Sequence, residues 1–369
     1  MNAKIIIIGN EILSGFTKDL NANFLIKSLL KKDVVVDSVV FIKDEISLIH
    51  RELKITRSVD LVFLTGGLGP TSDDVTFRAL DSFFKPMKPR LLENQIGTAS
   101  GLWYEKNQID YFSFPGVPSE MQLMVSNLFS IFFSKKEKKN SFFQVNTIGI
   151  PESKLSVLLN DFEKELPSTC KLSYLPDNII VKLRFHNSSG KLKGFELFKR
   201  KLNQILGPFI FSYGEKSLQQ SLVFSLIKKN IKIAIAESCT GGQISKMLTS
   251  VPGASKVLIG SVIAYSNFAK KTVLNVSSNN IIKNGVVSEQ VVIEMAQSVR
   301  KKFNSNFGLA TSGYMGPFEQ GSEGDGIAWF CIASKNKIIT EKINLKSNRS
   351  NNILITSRSV LNELRKQIL

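Results

Sequence analysis

The chain repeats one folding pattern twice. From residue 4 to about 133, short apolar runs alternate with stretches of helical periodicity: "IIIIG", "NANFLIKSLLKK", "VVVDSVVFI", "EISLIHRELKITRS" and "LVFLTGG". From 217 to 369 the same rhythm returns, with strands expected at "KIAIA", "KVLIGSVIAYS", "FGLATSG" and "GIAWFCIAS", and helices after "TGG", "SEQVV" and "NRSNN". Strands alternating with helices bury both faces only as a parallel sheet covered by helices. In such sheets ligands gather at the carboxyl ends of the strands. The last stretch, "ILITSRSVLNELRKQIL", has helical spacing and closes the second unit.

Between the two repeats, the lysine-rich "KKEKK" at 135–139 reads as a linker. Residues 142–212 read as a small α+β unit: strand "FFQVNTIGI", helix "ESKLSVLLNDFEKEL", strand "NIIVKLRFH", helix "LKGFELFKRKLNQIL". This unit carries no acid, base or glycine constellation and is expected to be a spacer. With 369 residues the chain exceeds one ordinary core, and the expected domains are 1–133, 142–212 and 217–369.

Composition excludes several classes. Hydrophobic residues at 43% and charged residues at 21% suit a folded chain rather than a disordered one. Cys170, Cys239 and Cys331 lie far apart, with no CxxC pair, so neither a zinc site nor a disulfide framework is expected and a reducing cytoplasm is the expected compartment. The four isoleucines near the amino terminus are interrupted by Gly9 and Glu11, which makes them a buried strand rather than a signal peptide. No apolar run approaches the ~18 residues of a membrane span. The net charge of +17 raises nucleic acid as a partner. Its lysines are spread along the chain, however, and no nucleic-acid-binding motif is present, so no such partner is expected.

The stretch "AESCTGG" at 236–242 carries the most chemistry. It follows the strand "IKIAIA" and precedes the helical "GGQISKMLTSV", which puts Ser238 on a strand-to-helix turn beside free N–H groups. Such a serine is a helix cap or a nucleophile. The GxSxG elbow is absent, and His50 and His186 lie in other segments, so a nucleophile here needs another base. Downstream, "AYSNFAKK" supplies Tyr265 and Lys270. Lysine acts as a base only when neutral, which its ordinary pKa of about 10.4 disfavours unless burial lowers it. The alternative is a solvated surface lysine.

"AESCTGG", "VPGAS", "VIAYSNFAKK", "GVVSEQVVIEMA" and "TSGYMGP" stand in the order of the carboxy-terminal domain of the CinA family, the nicotinamide-nucleotide amidases, which this region resembles. The resemblance implies hydrolysis of the carboxamide of nicotinamide mononucleotide to nicotinate mononucleotide and ammonia. It implies a serine nucleophile, Ser238, a lysine base, Lys270, and a helping tyrosine, Tyr265, that orients the lysine. Turn N–H groups near Thr240 and Gly241 are expected to hold the oxyanion, with Cys239 the alternative nucleophile. Arg349, in "KSNRSNN", falls where the family has an arginine near its substrate. Gly313 and Gly316 (with Pro317) match the family's Thr-Gly-Ile-Ala-Gly-Pro stretch, whereas the bulkier Tyr314 and Met315 depart from it. No cofactor is expected for this activity; the partners implied are a small nucleotide substrate and a second copy in a homodimer.

In the first segment, "LTGGLGPTSDDVT" at 64–76 places a glycine-rich turn with Gly66, Gly67 and Gly69 before two aspartates. Glycines let backbone N–H groups approach a phosphate, and Asp73 and Asp74 are candidate ligands of a hydrated divalent metal. With "GNEILSG" and "GVPSEM" this stretch resembles the amino-terminal CinA domain, related to the molybdopterin-binding fold. The fold class expected is therefore α/β: a three-layer α/β/α molybdopterin-binding-like domain, the small α+β unit, and an α/β amidase domain. Some family members use the first domain as a metal-dependent ADP-ribose pyrophosphatase. On that resemblance Glu11 joins Asp73 and Asp74 as metal ligands, and Asn21 and Glu120 join the glycines at a nucleotide site. The passage from "ALDSFF" through "KPMKPRLLENQIGTASG" is shorter than the family's by a few dozen residues, which leaves a binding module or a competence-associated protein as further readings.

Overall fold

The computed structural model describes residues 1–56, 59–71, 74–133, 142–187, 195–316 and 326–369. The lysine-rich 135–139 lies outside the described residues. Two compact units result, Met1–Ser141 and Phe142–Leu369.

The first unit is built on a six-stranded sheet of β1 (Asn2–Ile8), β2 (Val35–Ile42), β3 (Leu61–Thr65), β4 (Arg90–Leu92), β5 (Gly101–Lys106) and β6 (Ile109–Phe114), in the order β2-β1-β3-β6-β5-β4. The isoleucine run explains its layering. Ile5 and Ile7 of β1 pack with Leu25 and Leu29 of the helix Asn21–Leu30 and with Met121, Val125 and Leu128 of the helix Pro118–Phe132. Ile6 and Ile8 pack on the other face, against Ile49 and Leu53 of the helix Ile46–Lys54 and Ala79, Leu80 and Phe84 of the helix Thr76–Phe84. A central strand buried on both sides has no polar alternation to offer, hence four isoleucines in a row. β2, β1, β3 and β6 are parallel, but β5 runs antiparallel to β6 and pairs antiparallel with β4. This departs from the all-parallel expectation. Asn107 and Gln108, both at positive φ (54° and 62°), make a two-residue turn that folds β5 back onto β6.

The second unit holds two sheets. β7 (Phe142–Ile148), β8 (Cys170–Asp177), β9 (Ile180–Asn187) and β10 (Ile210–Tyr213) form an antiparallel sheet in the order β10-β7-β9-β8. β11 (Ile233–Glu237), β12 (Leu258–Ile263), β13 (Phe307–Tyr314), β14 (Ile327–Ala333) and β15 (Ile338–Asn344) form the other, in the order β12-β11-β13-β14-β15. β12, β11 and β13 are parallel, while β14 pairs antiparallel with both β13 and β15; β15 was not anticipated from the sequence. Alternation again sorts the core. Ile233 and Ile235 face the helices Leu218–Lys228, Gln243–Thr249 and Arg349–Gln367, while Ala234 and Ala236 face the helix Glu289–Lys302.

The middle segment is more than a spacer. Ile148, Ile180 and Phe211 belong to the same buried cluster as Leu222, Ile235 and Leu361. Arg358 of the closing helix donates to the Asp177 carbonyl at 2.7 Å and to its carboxylate at 2.8 Å. Buried Arg365 donates to the carbonyls of Ile210 and Pro208 at 3.0 and 2.8 Å. Two arginines and a shared core therefore bind the two sheets together. Among the described residues no helix is long and apolar enough to cross a membrane.

Candidate active site

β11 lies between β12 and β13, so its carboxyl end is the point where crossovers leave in opposite directions. Glu237 is the last residue of β11 and is fully buried. Its carboxylate accepts hydrogen bonds from the N–H groups of Gly242, Ile244 and Ser245 at 3.0, 3.1 and 2.8 Å. It also accepts from the hydroxyls of Thr240 (2.7 Å) and Ser245 (2.5 Å). The start of the helix Gln243–Thr249 is thus already occupied by an anion, the chain's own. The expectation that these helix-start N–H groups face a substrate is corrected accordingly. Gly242, at φ 95° in the left-handed region, makes the reversal into the helix.

That scaffold presents Ser238. Its N–H donates to the Thr311 carbonyl at 3.1 Å, and its Oγ accepts from Lys270 Nζ at 2.8 Å. Lys270 reaches it from the helix Asn267–Leu274, whose start is fixed by Ser266 capping Ala269 N at 3.1 Å. The lysine is only 2% exposed. Its second partner is the Ala264 carbonyl at 3.2 Å, and among the described residues no carboxylate pairs with it. Burial pulls its pKa below the ordinary lysine value, opposed only by the neighbouring Cys239. A lysine deprived of water and of a counter-ion is biased toward the neutral amine. The adjacent Cys239 is 5% exposed and packs with Met315, Ala328 and Leu345. Burial pushes its thiol up to about 12, which makes it a core residue and a poor source of thiolate.

Ser238 and Lys270 open into a pocket of about 200 Å3, also lined by Tyr265, Asn267, Ser312, Gly313, Tyr314 and Arg349. Arg349 begins the closing helix, capped by Asn348 on Asn351 N at 3.0 Å. It donates to the Gly316 carbonyl at 2.6 Å and to the Tyr265 hydroxyl at 2.8 Å. Buried Asn352 holds the same corner, donating to the carbonyls of Met315 (3.1 Å) and Ser347 (2.7 Å). Two expectations change here. Tyr265 was expected to orient Lys270, but its hydroxyl engages Arg349 instead. Thr240 and Gly241 do not line the pocket: the Thr240 hydroxyl is spent on Glu237 and Thr311, and Gly241 N donates to the Ser238 carbonyl. Pro317 lies outside the described residues.

The first unit carries a wider cleft, about 690 Å3, at the carboxyl ends of β1 and β3. Gly66, Gly67, Gly69, Glu11, Asp74 and Glu120 line it, joined by Asp44, Thr17, Thr71 and Thr98, which sequence reasoning had not singled out. Gly66 has φ 110°, and a side chain there would run into the Ile8 carbonyl. Most of the acidic groups already have local partners. Asp74 accepts from Thr71 N (2.9 Å) and Oγ1 (2.5 Å); these bonds outweigh its burial and hold its pKa below the usual value. Glu120 accepts from Asn94 Nδ2 at 2.7 Å, which ties down the shortened loop. Asp44 accepts from Asn10 N at 2.9 Å, and burial, with repulsion from Glu11 and Asp74, raises its pKa. Asn21 does not line the cleft; it donates to Thr65 Oγ1 and the Gly116 carbonyl beneath it, at 3.0 and 2.8 Å. Among the described residues no group of three or more His, Cys, Asp or Glu is placed to hold a metal ion, and Asp73 lies outside them.

Comparison with known proteins accounts for both units. Residues 215–368 match the CinA C-terminal domain, and residues 4–135 match a family described as a probable molybdopterin binding domain. A CinA-like protein of Amoebophilus asiaticus is 32% identical over 100% of this chain and 99% of its own length. The chain belongs to the CinA family. A CinA-like protein of Cytophaga hutchinsonii is 34% identical, with 99% of this chain and 98% of the relative covered. The crystal structure of a competence-damaged protein (CinA) superfamily protein from Enterobacter cloacae is similar at 27% identity and a TM-score of 0.39, covering 41% of this chain and 90% of that one. Within this CinA-family chain the residues missed by sequence reasoning are mostly those that hold others: Glu237, Thr311 and Asn352. The one available signal was a glutamate directly before the hydroxyl-rich turn, where an acid can accept from several N–H groups at once.

Proposed function

We propose that the carboxy-terminal site hydrolyses the carboxamide of nicotinamide mononucleotide, giving nicotinate mononucleotide and ammonia. The observation that carries this reading is the buried Lys270 Nζ at 2.8 Å from Ser238 Oγ, with no carboxylate beside it among the described residues. Neutral Lys270 takes the Ser238 proton as Oγ attacks the carboxamide carbon. Ser238, Gly241 and Gly242 spend their N–H groups within the turn, and Cys239, which lines the pocket, offers its N–H to the oxyanion. The lysine ammonium then protonates the departing nitrogen, ammonia leaves, and an acyl-serine ester remains. Water, deprotonated by Lys270, attacks the ester; Ser238 recovers its proton from the lysine, and the acid product leaves as the carboxylate after giving its own proton to the released ammonia. One water is consumed and one ammonia released.

Arg349, pinned by Gly316 and Tyr265 at the pocket mouth, pairs with the substrate phosphate. In this reading Tyr265 works through Arg349 and not through the base. The family likeness also suggests a homodimer in the cytoplasm, which light scattering and cell fractionation would check. The test of function is ammonia release from nicotinamide mononucleotide by the full chain without added metal. Absence of release above a no-enzyme control would reject the proposal.

A further inference from the structure

The Ser238 pocket is lined, among the described residues, by two basic side chains, Lys270 and Arg349, and by no carboxylate. A substrate of the kind proposed above brings a phosphate and a pyridinium ring, one negative and one positive centre. Arg349 suits the first. Among the described residues no acidic side chain lines the pocket to meet the ring charge, and the cation-attracting group that the lining does offer is an aromatic face, whose quadrupole favours cations.

Two tyrosines offer such faces. Tyr265 is 60% and Tyr314 51% exposed, and both line the pocket. Tyr265 already has a guanidinium on its hydroxyl at 2.8 Å, and that arginine is the phosphate's partner. Tyr314 is placed differently. It is the last residue of β13, paired with Ile327 of β14. The next residue, Met315, is only 2% exposed, packs with Cys239, Ala328 and Leu345, and has its carbonyl held by Asn352. With Met315 turned into the core behind the nucleophile, Tyr314 stands at the pocket wall. The methionine braces the turn, and the tyrosine is left facing the pocket.

We infer that Tyr314 determines specificity at this site, its ring receiving the cationic pyridinium of a phosphorylated N-substituted pyridine carboxamide and favouring it over the neutral dihydropyridine form. This rests on the amidase reading, so the test separates binding from turnover. Calorimetric titration of the Ser238→Ala full chain with nicotinamide mononucleotide, and with its reduced neutral-ring form, is compared across Tyr314, Tyr314→Phe and Tyr314→Leu backgrounds. A cation–ring contact predicts affinity for the oxidised form within about twofold for phenylalanine and about five- to tenfold weaker for leucine. The leucine variant is expected to lose its preference for the oxidised form, with reduced-form affinity unchanged. Equal loss of both ligands with leucine, or no loss at all, overturns the assignment. Selective loss in binding, beside a wild-type chain that releases no ammonia, would sustain the ring contact and sink the amidase reading. Thermal melts check that the half-exposed substitutions leave the fold intact.

Discussion

Two ligand-sized openings among the described residues differ in a way that volume does not reveal. The amino-terminal cleft is the larger, about 690 Å3 against about 200 Å3, and holds more acidic side chains. Its carboxylates, however, are mostly committed locally, Asp74 to Thr71, Glu120 to Asn94 and Asp44 to Asn10. In the smaller pocket the commitments run the other way. Glu237 absorbs five donors behind the turn, and what is left facing the pocket is a serine hydroxyl and a desolvated amine in contact. A site becomes reactive when its polar groups are denied easier partners. The opening with fewer functional groups is therefore the stronger candidate for covalent chemistry.

The sharpest way to break that contrast is at Lys270. Lys270→Arg keeps a cation but cannot be neutral, and ammonia release is expected to fall by about 10²–10⁴, the usual worth of a positioned acid–base group. Because burial lowers the lysine's pKa, the wild-type rate should climb with pH through a value below the ordinary 10.5 and then level. The folded state binds the Lys270 proton less readily than the unfolded state, so this group's contribution to stability improves as pH rises. Lys270→Met should therefore be inactive without a lowered Tm at neutral pH. A rate that is flat with pH, or a Lys270→Arg enzyme of normal rate, removes the lysine from the chemistry.

Next in size is the scaffold. Glu237→Ala leaves three N–H groups and two hydroxyls without their acceptor in a buried turn and should cost about 3–5 kcal/mol, read by denaturant unfolding. Arg365→Ala strips the Ile210 and Pro208 carbonyls of their donor and should cost about 2–3 kcal/mol with turnover per folded molecule unchanged. The smallest effects belong to the cleft. Glu120→Gln and Asp74→Asn should each change stability by about 1 kcal/mol or less and leave ammonia release untouched. A large loss of ammonia release in either would show that the two openings do not act separately.

Much of this is legible in the sequence. The isoleucine run named a strand buried on both faces, and the break after "IAIA" placed Ser238 on its turn, because periodicity of two and of 3.6 residues is written directly in the chain. Lys270 was legible as a candidate, but its state was not. Its depressed pKa comes from burial under elements distant in sequence. The role of Glu237 as an acceptor appears only once Gly242, Ile244 and Ser245 curl around it. The Tyr265 partner was misjudged for the same reason: Arg349 lies 84 positions away, and spacing along a helix cannot report it. The antiparallel β5 was missed because "KNQI" contains neither glycine nor proline, although Asn107 and Gln108 take left-handed conformations.

The central claim is that Ser238, activated by Lys270, is the nucleophile of an amide hydrolysis. It is tested most directly by ammonia release from nicotinamide mononucleotide with wild type, Ser238→Ala and Cys239→Ala side by side. The account predicts release by wild type, none above background for Ser238→Ala in a chain that melts normally, and most of the activity retained by Cys239→Ala. Retained release in Ser238→Ala, or loss confined to Cys239→Ala, would contradict it.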